Sequence, residues 1–314
     1  MPVRLRIGTR GSPLALVQAE QTRSRLVAAH PELSEPGAIT IVVIKTSGDR
    51  ILDRTLAEVG GKGLFTKEIE DALAEGAIDL AVHSMKDVPT WLPVGLEIPC
   101  LLPRADPRDA WFSTSGLGLD DLPAGAVVGT ASLRRQAQLL ARRPDLIVMP
   151  LRGNVGTRLA KLAAGEVAAT MLAMAGLIRL GLTAGVSALL EPEVMLPAVA
   201  QGAIGIEIRS DDDVTRALLA PLHCPDTGAR VAAERALLAV LDGSCRTPIA
   251  AYARLDGIGG LQLDALALRP DGRQSFAQSC CGQAVDAEAL GTEAGLALKA
   301  RLPADFFSAN LLSE

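Results

Sequence analysis

Short apolar runs alternate with helical periods along the first part of the chain, and this alternation limits the fold more than any other feature. One helix is predicted to begin at Ser12-Pro13, which combines a good N-cap with proline at the first helical position. Another is predicted over 64–75, ending where Gly76 favours a left-handed cap. Around these helices, strands are predicted at 5–7, 39–44, 78–82 and 96–101. Alternating strands and helices predict a largely parallel sheet flanked by helices.

The pattern pauses at 103–107 and then resumes, which predicts a second α/β unit. The segment 196–208 is predicted to return to the first unit, so that two crossings form a hinge between two lobes. Beyond Cys224 the order changes to helix, three strands and helix, which predicts a C-terminal α+β domain. The 314 residues exceed one ordinary core. The predicted domains are 1–102 with 200–220, then 103–199, then 221–314.

Positive charge is concentrated in the window 132–161. This window holds six arginines and one lysine against a single acid, Asp145, in a chain whose net charge is −5. Because the guanidinium group is suited to two-point contacts with carboxylate or phosphate, the cluster predicts an anionic ligand. Ser132 is a predicted N-cap, and cations in the first turn after it oppose the helix dipole unless an anion is bound there. The alternative interpretation is a solvated basic helix face.

Polar residues follow the predicted strands, where open α/β sheets bind their ligands. Among them, Asp87 follows an apolar run and stands beside Lys86, which suits a general acid and base or a group that faces a developing cation. The alternative interpretation is a turn before Val88-Pro89. His83 is interpreted as a core imidazole.

The segment 45–65 contains four glycines and no long apolar run, which is typical of a mobile flap over a site. It lacks the pattern of a nucleotide-binding loop.

Cys245 lies in a Gly-Ser loop beside Arg246, a setting that favours the thiolate and covalent attachment of a group. Its alternative interpretation is an inert small hydrophobe. The other cysteines are Cys100, Cys224, Cys280 and Cys281, and all five are expected to be reduced.

The same composition argues against several classes of protein. No metal is expected, because the three histidines and the cysteines show no zinc-ligand spacing. No membrane partner is expected, because no apolar run approaches the roughly 20 residues of a span. Nucleic acid is not expected either, since aromatic residues make up 3% of an acidic chain. No signal-peptide core is found, so the expected location is the cytoplasm.

Five segments resemble motifs of the hydroxymethylbilane synthase (porphobilinogen deaminase) family, in the same order over essentially the whole chain. They are Val-Gly-Gly-Lys-Gly-Leu-Phe at 59–65, Ala-Val-His-Ser-Met-Lys-Asp-Val-Pro at 81–89, Ser-Leu-Arg-Arg at 132–135, Leu-Arg-Gly-Asn-Val-Gly-Thr-Arg at 151–158 and Leu-Pro-Ala-Val-Ala-Gln-Gly-Ala at 196–203. Together these motifs are far more specific than any one of them alone.

The resemblance implies three domains, of which the first two are similar to the lobes of periplasmic binding proteins. It also implies one dipyrromethane cofactor per chain, joined by a thioether to Cys245. It implies a transferase of tetrapyrrole (haem) biosynthesis that adds four porphobilinogen units head to tail, each with loss of ammonia, before water releases hydroxymethylbilane. Asp87 matches the family's catalytic aspartate. A monomer with transient handover to the next enzyme is expected. The alternative function is a two-lobed binding protein that captures a carboxylated metabolite without chemistry, although this would leave Cys245 unexplained.

The resemblance also assigns the binding residues. Besides Cys245, the cofactor-binding residues are Ser84, Lys86, Asp87, Thr130, Ser132, Arg134, Arg135, Arg152, Gly153 and Asn154. The substrate-binding residues are Arg10, Ser12, Lys62, Phe65, Arg152, Arg158, Arg179 and Gln201. Two positions depart from the family pattern: Ala131 stands where many relatives have serine, and Arg246 adds positive charge next to Cys245.

Overall fold

The computed structural model describes residues 4–50, 63, 65–241 and 247–306. These residues form two compact units. The first unit comprises described residues up to 105 together with 202–228, and the second comprises 106–201 and the described residues from 229 onwards. No helix in these described parts of the chain is long and apolar enough to cross a membrane.

Thirteen strands and nine α-helices are found among the described residues. The strands are β1 Leu5–Arg10, β2 Ile39–Ile44, β3 Leu80–Ser84, β4 Leu96–Leu101, β5 Asp109–Ser113, β6 Val127–Gly129, β7 Ile147–Met149, β8 Ala169–Ala173, β9 Ala188–Leu190, β10 Ile204–Arg209, β11 Ile249–Leu255, β12 Gly260–Leu268 and β13 Ser275–Gln283. The helices are α1 Pro13–Ala29, α2 Ser47–Arg50, α3 Lys67–Ala74, α4 Leu133–Arg142, α5 Val155–Ala163, α6 Met174–Leu180, α7 Asp213–Leu219, α8 Pro225–Val240 and α9 Ala287–Lys299.

The first unit contains a five-stranded mixed sheet in the order β2-β1-β3-β10-β4. The strands β1, β2 and β3 are parallel, whereas β10 is antiparallel to both of its neighbours, β3 and β4. Four of the five strands therefore run in one direction, and the sheet departs from the predicted parallel arrangement only at β10. The reason is topological: β10 is the strand on which the chain returns from the second unit, and it enters between β3 and β4 in the opposite direction.

Two apolar layers cover the two faces of this sheet. One layer packs α1 against residues such as Ile7, Val82 and Ile206. The other packs α3, through Ile69 and Leu73, against the opposite face. Because side chains alternate along a strand, neighbouring residues of β3 and β10 point into different layers.

The second unit contains a mixed five-stranded sheet in the order β7-β6-β8-β5-β9. The strands β6, β7 and β8 are parallel, while β5 is antiparallel to β8 and β9. Trp111 of β5 is fully buried at the centre of one apolar layer, which also contains Leu139 of α4. In this sheet too, four of the five strands run in one direction and β5 is reversed.

The C-terminal part of the second unit is an antiparallel sheet, β11-β12-β13, packed against helices. Its strands alternate buried and less buried residues, as expected for a sheet covered on one face. The helices α8 and α9 approach closely at Gly291, where an added methyl group would overlap the carbonyl oxygen of Ala233. The α+β class predicted for this part is confirmed, as is the α/β class of the two preceding sheets.

Candidate functional site

In the first unit, the carboxyl ends of the parallel strands β1 and β3 carry the predicted polar residues to one edge of the sheet. Arg10 ends β1, and its guanidinium carbon lies 4.2 Å from the centroid of the Phe65 ring. Ser12 caps α1, as predicted, with its hydroxyl accepting a hydrogen bond from the Ala15 N–H at 3.3 Å. The N-terminus of α1 is thereby also directed to this edge.

A short 3₁₀ turn, Met85–Asp87, follows β3 at the same edge. Ser84, Lys86 and Asp87 are all half-buried, so they remain partly accessible to a ligand. Ser84 exchanges hydrogen bonds with the buried amide of Gln18 on α1, at 2.9 and 3.2 Å. No local pattern marks Gln18 as a site residue, because its partner Ser84 lies 66 residues away in the chain.

In the second unit, β6 and β7 are parallel neighbours, and each leads into a capped helix at the same edge of the sheet. At α4, the Ser132 hydroxyl accepts a hydrogen bond from the Arg135 N–H at 3.4 Å, which confirms the predicted cap. The hydroxyl of the buried Thr130 accepts from the Ser132 N–H at 3.1 Å. At α5, the Asn154 side chain accepts from the Thr157 N–H at 2.9 Å.

Arg134 and Arg135 are buried, each 5% exposed, and both bind the fully buried Asp109. Burial by itself would raise the pKa of Asp109, but the charges of the two arginines outweigh it and hold that pKa well below its usual range. The sequence predicts that these arginines bind an external anion. In the fold, Asp109, which lies outside the basic window, already supplies the pair with one counter-charge at the start of α4.

Five of the six nitrogens in these two guanidinium groups have a hydrogen-bond partner among the described residues. Arg135 also donates to the carbonyl of Met171, and Arg134 donates to the carbonyl of Leu196 at 2.6 Å. Only the Nε of Arg134 is buried with no hydrogen-bond partner among the described residues. Arg142 and Arg143, further along the window, pair with exposed acids on the surface, as the solvated-face alternative predicts.

Arg152 lies directly after β7, and its Nη1 atom is buried with no hydrogen-bond partner in the described part of the chain. The next residue, Gly153, has φ +113°, and a methyl group there would come within 2.7 Å of the Thr157 side chain. Arg158 donates from Nε to the Gly153 carbonyl at 2.8 Å. A buried guanidinium nitrogen without an acceptor is costly, so this position favours an anionic ligand.

Two further predicted residues lie deeper in the second unit. Gln201 is 1% exposed, and its amide donates to the Pro107 carbonyl and to Asp109, at 2.7 and 2.8 Å. Arg179 is in the last turn of α6, where burial lowers its pKa to about 10. At that value it is still cationic at neutral pH.

The predicted attachment residue Cys245, its neighbour Arg246 and the predicted substrate-binding Lys62 lie outside the described residues. Most of the proposed flap, 45–65, lies outside them too. In the part that is described, the cysteines Cys100, Cys224, Cys280 and Cys281 are free thiols, and no group of three His, Cys, Asp or Glu side chains is arranged to hold a metal ion.

Comparisons with known proteins agree with these features. Residues 5–217 match the family model "Porphobilinogen deaminase, dipyromethane cofactor binding domain", and residues 229–300 match "Porphobilinogen deaminase, C-terminal domain". A porphobilinogen deaminase of Paracoccus denitrificans is 57% identical over 303 residues, covering 96% of each chain. A chloroplastic porphobilinogen deaminase of Oryza sativa is 55% identical, covering 96% of this chain and 85% of the relative.

Among solved structures, the periplasmic aliphatic sulphonate binding protein SsuA from Escherichia coli aligns with a TM-score of 0.42 at 16% identity, covering 77% of this chain and 71% of that one. The two family models together span both described units, and the curated relatives match at more than half identity along nearly the full length. The chain therefore belongs to the porphobilinogen deaminase family of transferases, which has a dipyrromethane-cofactor-binding domain.

Proposed function

We propose that this chain joins four porphobilinogen molecules head to tail, with loss of one ammonia per unit, and releases hydroxymethylbilane by hydrolysis. When bound, the dipyrromethane supplies the primer on which the chain of pyrroles grows. The two family matches and the high identity to porphobilinogen deaminases support this reaction class. Each residue role below is our proposal for this chain.

The observation that best supports a resident polycarboxylate is the unsatisfied donor of Arg152. Its buried Nη1 lacks an acceptor among the described residues, and the Nε of Arg134 is in the same condition. Each pyrrole ring carries an acetate and a propionate, whose carboxylates are acceptors of the kind these nitrogens lack. The donor set therefore fits a dipyrromethane. The cofactor-holding residues we propose are Cys245 by a thioether, with Ser84, Lys86, Asp87, Thr130, Ser132, Arg134, Arg135, Arg152, Gly153 and Asn154.

The porphobilinogen carboxylates need further cations and polar groups. Arg10 and Ser12 lie at the strand edge that also carries Asp87, and Phe65 stacks under the Arg10 guanidinium. This stacking restricts the rotation of Arg10, so less conformational entropy is lost when it binds an anion. The substrate-binding residues we propose are Arg10, Ser12, Lys62, Phe65, Arg152, Arg158, Arg179 and Gln201.

Asp87 is the proposed catalytic residue. Its carboxylate accepts a hydrogen bond from the pyrrole N–H of the substrate, and its negative charge stabilises the cation left when the amine departs. Lys86 and Arg10 belong to the same sheet edge, where Lys86 binds the cofactor carboxylates and Arg10 binds the substrate carboxylates. This division leaves Asp87 to face the positively charged centre.

The finer organisation is also a proposal. We take 1–102 with 200–220, 103–199 and 221–314 as the three domains, with Asp87 in the first, the arginine-rich sites in the second and Cys245 in the third.

We further propose a cytoplasmic monomer that hands its product transiently to the next enzyme. Free thiols at the four described cysteines are in keeping with a reducing compartment. Sedimentation of the purified chain tests the monomer.

The experiment that tests the function compares intact-protein masses and turnover. The wild type, made with ample porphobilinogen, is expected to carry a covalent excess of two linked pyrroles, and Cys245→Ser is expected to carry none. Asp87→Asn is expected to fold, retain the covalent excess and lose turnover by on the order of 10²- to 10⁴-fold. Asp121→Asn, an exposed acid, is the matched control with normal turnover. An unmodified wild type that still makes the tetrapyrrole, or full turnover by Asp87→Asn, would refute these roles.

A further inference from the structure

Three ionisable side chains are buried together in the first unit, in the layer between α3 and the sheet. Glu70 of α3 is 7% exposed, His83 of β3 is 5% exposed and Glu207 of β10 is fully buried. None of them has a role in the function proposed above. Charged residues are almost never buried without partners, so their arrangement calls for an explanation.

The strand register brings two of the three into contact. In the antiparallel ladder, His83 is opposite Gly205 and Ala81 is opposite Glu207, so His83 and Glu207 are diagonal neighbours on one face. The His83 Nε2 and the Glu207 Oε2 lie 2.9 Å apart. The other oxygen of Glu207, Oε1, is buried and has no hydrogen-bond partner among the described residues.

Glu70 adds a second carboxyl group to this pair, since it interacts electrostatically with both Glu207 and His83. Burial, the largest cause, and the charges of Glu207 and Asp71 raise the pKa of Glu70 above its ordinary value, against a smaller lowering by a hydrogen bond with Thr66 and by His83. Two ionised carboxylates in an apolar layer would repel each other with little solvent screening. A proton between them would remove one charge and give the bare oxygen of Glu207 a donor.

Other charged groups on the surrounding elements do not supply that donor. Asp71, the next residue on α3, is exposed and carries the same sign. The cations and acids around the layer have partners elsewhere: Arg209 binds Asp212 and the carbonyls of Leu73 and Ile78, Arg6 binds Asp79, Glu68 binds Ser47, and Arg10 stacks on Phe65. The described residues also offer no set of three ligands suited to a metal ion.

We propose that Glu70, Glu207 and His83 form a buried unit that holds one proton between its two carboxyl groups, and that this unit positions the Ser84–Asp87 segment. Its members join three elements of the site: α3 begins two residues after Phe65, β3 ends at Ser84, and β10 pairs with β3. The positioning role rests on the proposed function of Asp87. The three are positioning residues, because they act through the strand and helix ends and not on the substrate.

Replacing Glu70 by glutamine and by alanine tests the proton directly. The pKa of Glu70 is raised in the fold, so its stabilising contribution is complete below the ordinary value of 4.5 and is lost as the pH rises through the folded value. Glutamine keeps a donor and does not titrate. Glu70→Gln should therefore unfold at the wild-type temperature below about pH 4.5, and its unfolding temperature should rise above that of the wild type as the pH increases through the folded pKa. Glu75→Gln makes the same chemical change at an exposed position just after α3, and its difference from wild type should not show this rise.

Two further measurements separate positioning from general stability. The infrared band of a neutral carboxylic acid should persist in the wild type above pH 4.5, be retained in Glu75→Gln and be lost in Glu70→Gln. At saturating substrate, Glu70→Gln should keep kcat within about twofold, whereas Glu70→Ala, which again leaves the Glu207 oxygen bare, should lose it about tenfold.

Absence of both the infrared band and the pH-dependent difference in unfolding temperature would overturn the shared proton. An unchanged kcat in Glu70→Ala would overturn the positioning role. These results are distinguishable from failure of the proposed function, because the unfolding and infrared measurements do not depend on whether Asp87 is catalytic.

Discussion

Asp109 is the residue whose replacement should destabilise the second unit most clearly. Its carboxylate accepts four hydrogen bonds. Oδ1 accepts from Arg135 Nη2 and from the Gln201 amide, while Oδ2 accepts from Arg134 Nη2 and Arg135 Nε, all between 2.7 and 3.2 Å. Asp109→Asn preserves the shape of the side chain but places an NH₂ group where two of these donors point. It also leaves two buried guanidinium groups without a counter-charge.

The magnitude follows from the bonds that are lost. Asparagine can accept at one oxygen only, so at least two charge-assisted hydrogen bonds disappear, each worth about 1.5–3 kcal/mol. Removal of one partner from a buried ion pair generally costs about 3–5 kcal/mol, which agrees with this sum. We therefore expect the free energy of unfolding of the second unit to fall by about 3–5 kcal/mol.

Urea unfolding at neutral pH, followed by the fluorescence of the buried Trp111 two residues away on β5, measures this change. The matched control is Asp120→Asn, which makes the same chemical change in the exposed pair with Arg142 and should cost at most about 1 kcal/mol. A loss in Asp109→Asn no greater than in this control would refute the reasoning. Since the folded pKa of Asp109 is depressed, the difference between wild type and Asp109→Asn should be full above about pH 4 and shrink in acid.

Two other predictions concern packing and thiol reactivity. Gly291→Ala should destabilise the second unit by about 1–3 kcal/mol in the same urea assay, because the added methyl group would overlap the Ala233 carbonyl. The control, Gly156→Ala at an uncrowded position of α5, should be neutral or stabilising. Equal effects of the two substitutions would contradict the packing argument. Iodoacetamide at about pH 8 should label the exposed Cys281 in the folded protein but Cys100 only after unfolding, because burial raises the pKa of the Cys100 thiol to about 12. Peptide mapping measures the two labelling rates, and equal rates in the folded protein would contradict this prediction.

Local signals in the sequence were sufficient for much of the fold. The strands predicted at 39–44 and 96–101 have the predicted bounds, and Gly76 adopts the predicted left-handed conformation with φ +68°. The short elements β9, α6 and α7 were not predicted, since three to seven residues carry too little periodicity to be distinguished from loops. The direction of β10 is set by its insertion between β3 and β4, which no local pattern encodes.

The candidate site was predictable where a residue and its partner are close in the chain, and not elsewhere. The cap at Ser132 is such a local feature. By contrast, Gln18 and Glu207 lie 66 and 124 residues from the partners that they bind. Their side-chain types are informative only after the sheet order is known.

The arginine window shows how burial changes the meaning of a charge cluster. A count of charge along the chain treats all the cations of the window alike. The structure distinguishes them by which guanidinium nitrogens lack a hydrogen-bond partner. Arg135 has a partner at each of its three nitrogens, Arg134 lacks one at Nε, and Arg152 lacks one at Nη1, within the described residues. A buried donor without an acceptor favours an anionic ligand more strongly than net charge does, because solvent cannot compensate it. The case for a bound carboxylate therefore rests chiefly on Arg152, with Asp109 holding Arg134 and Arg135 in place beside Ser132.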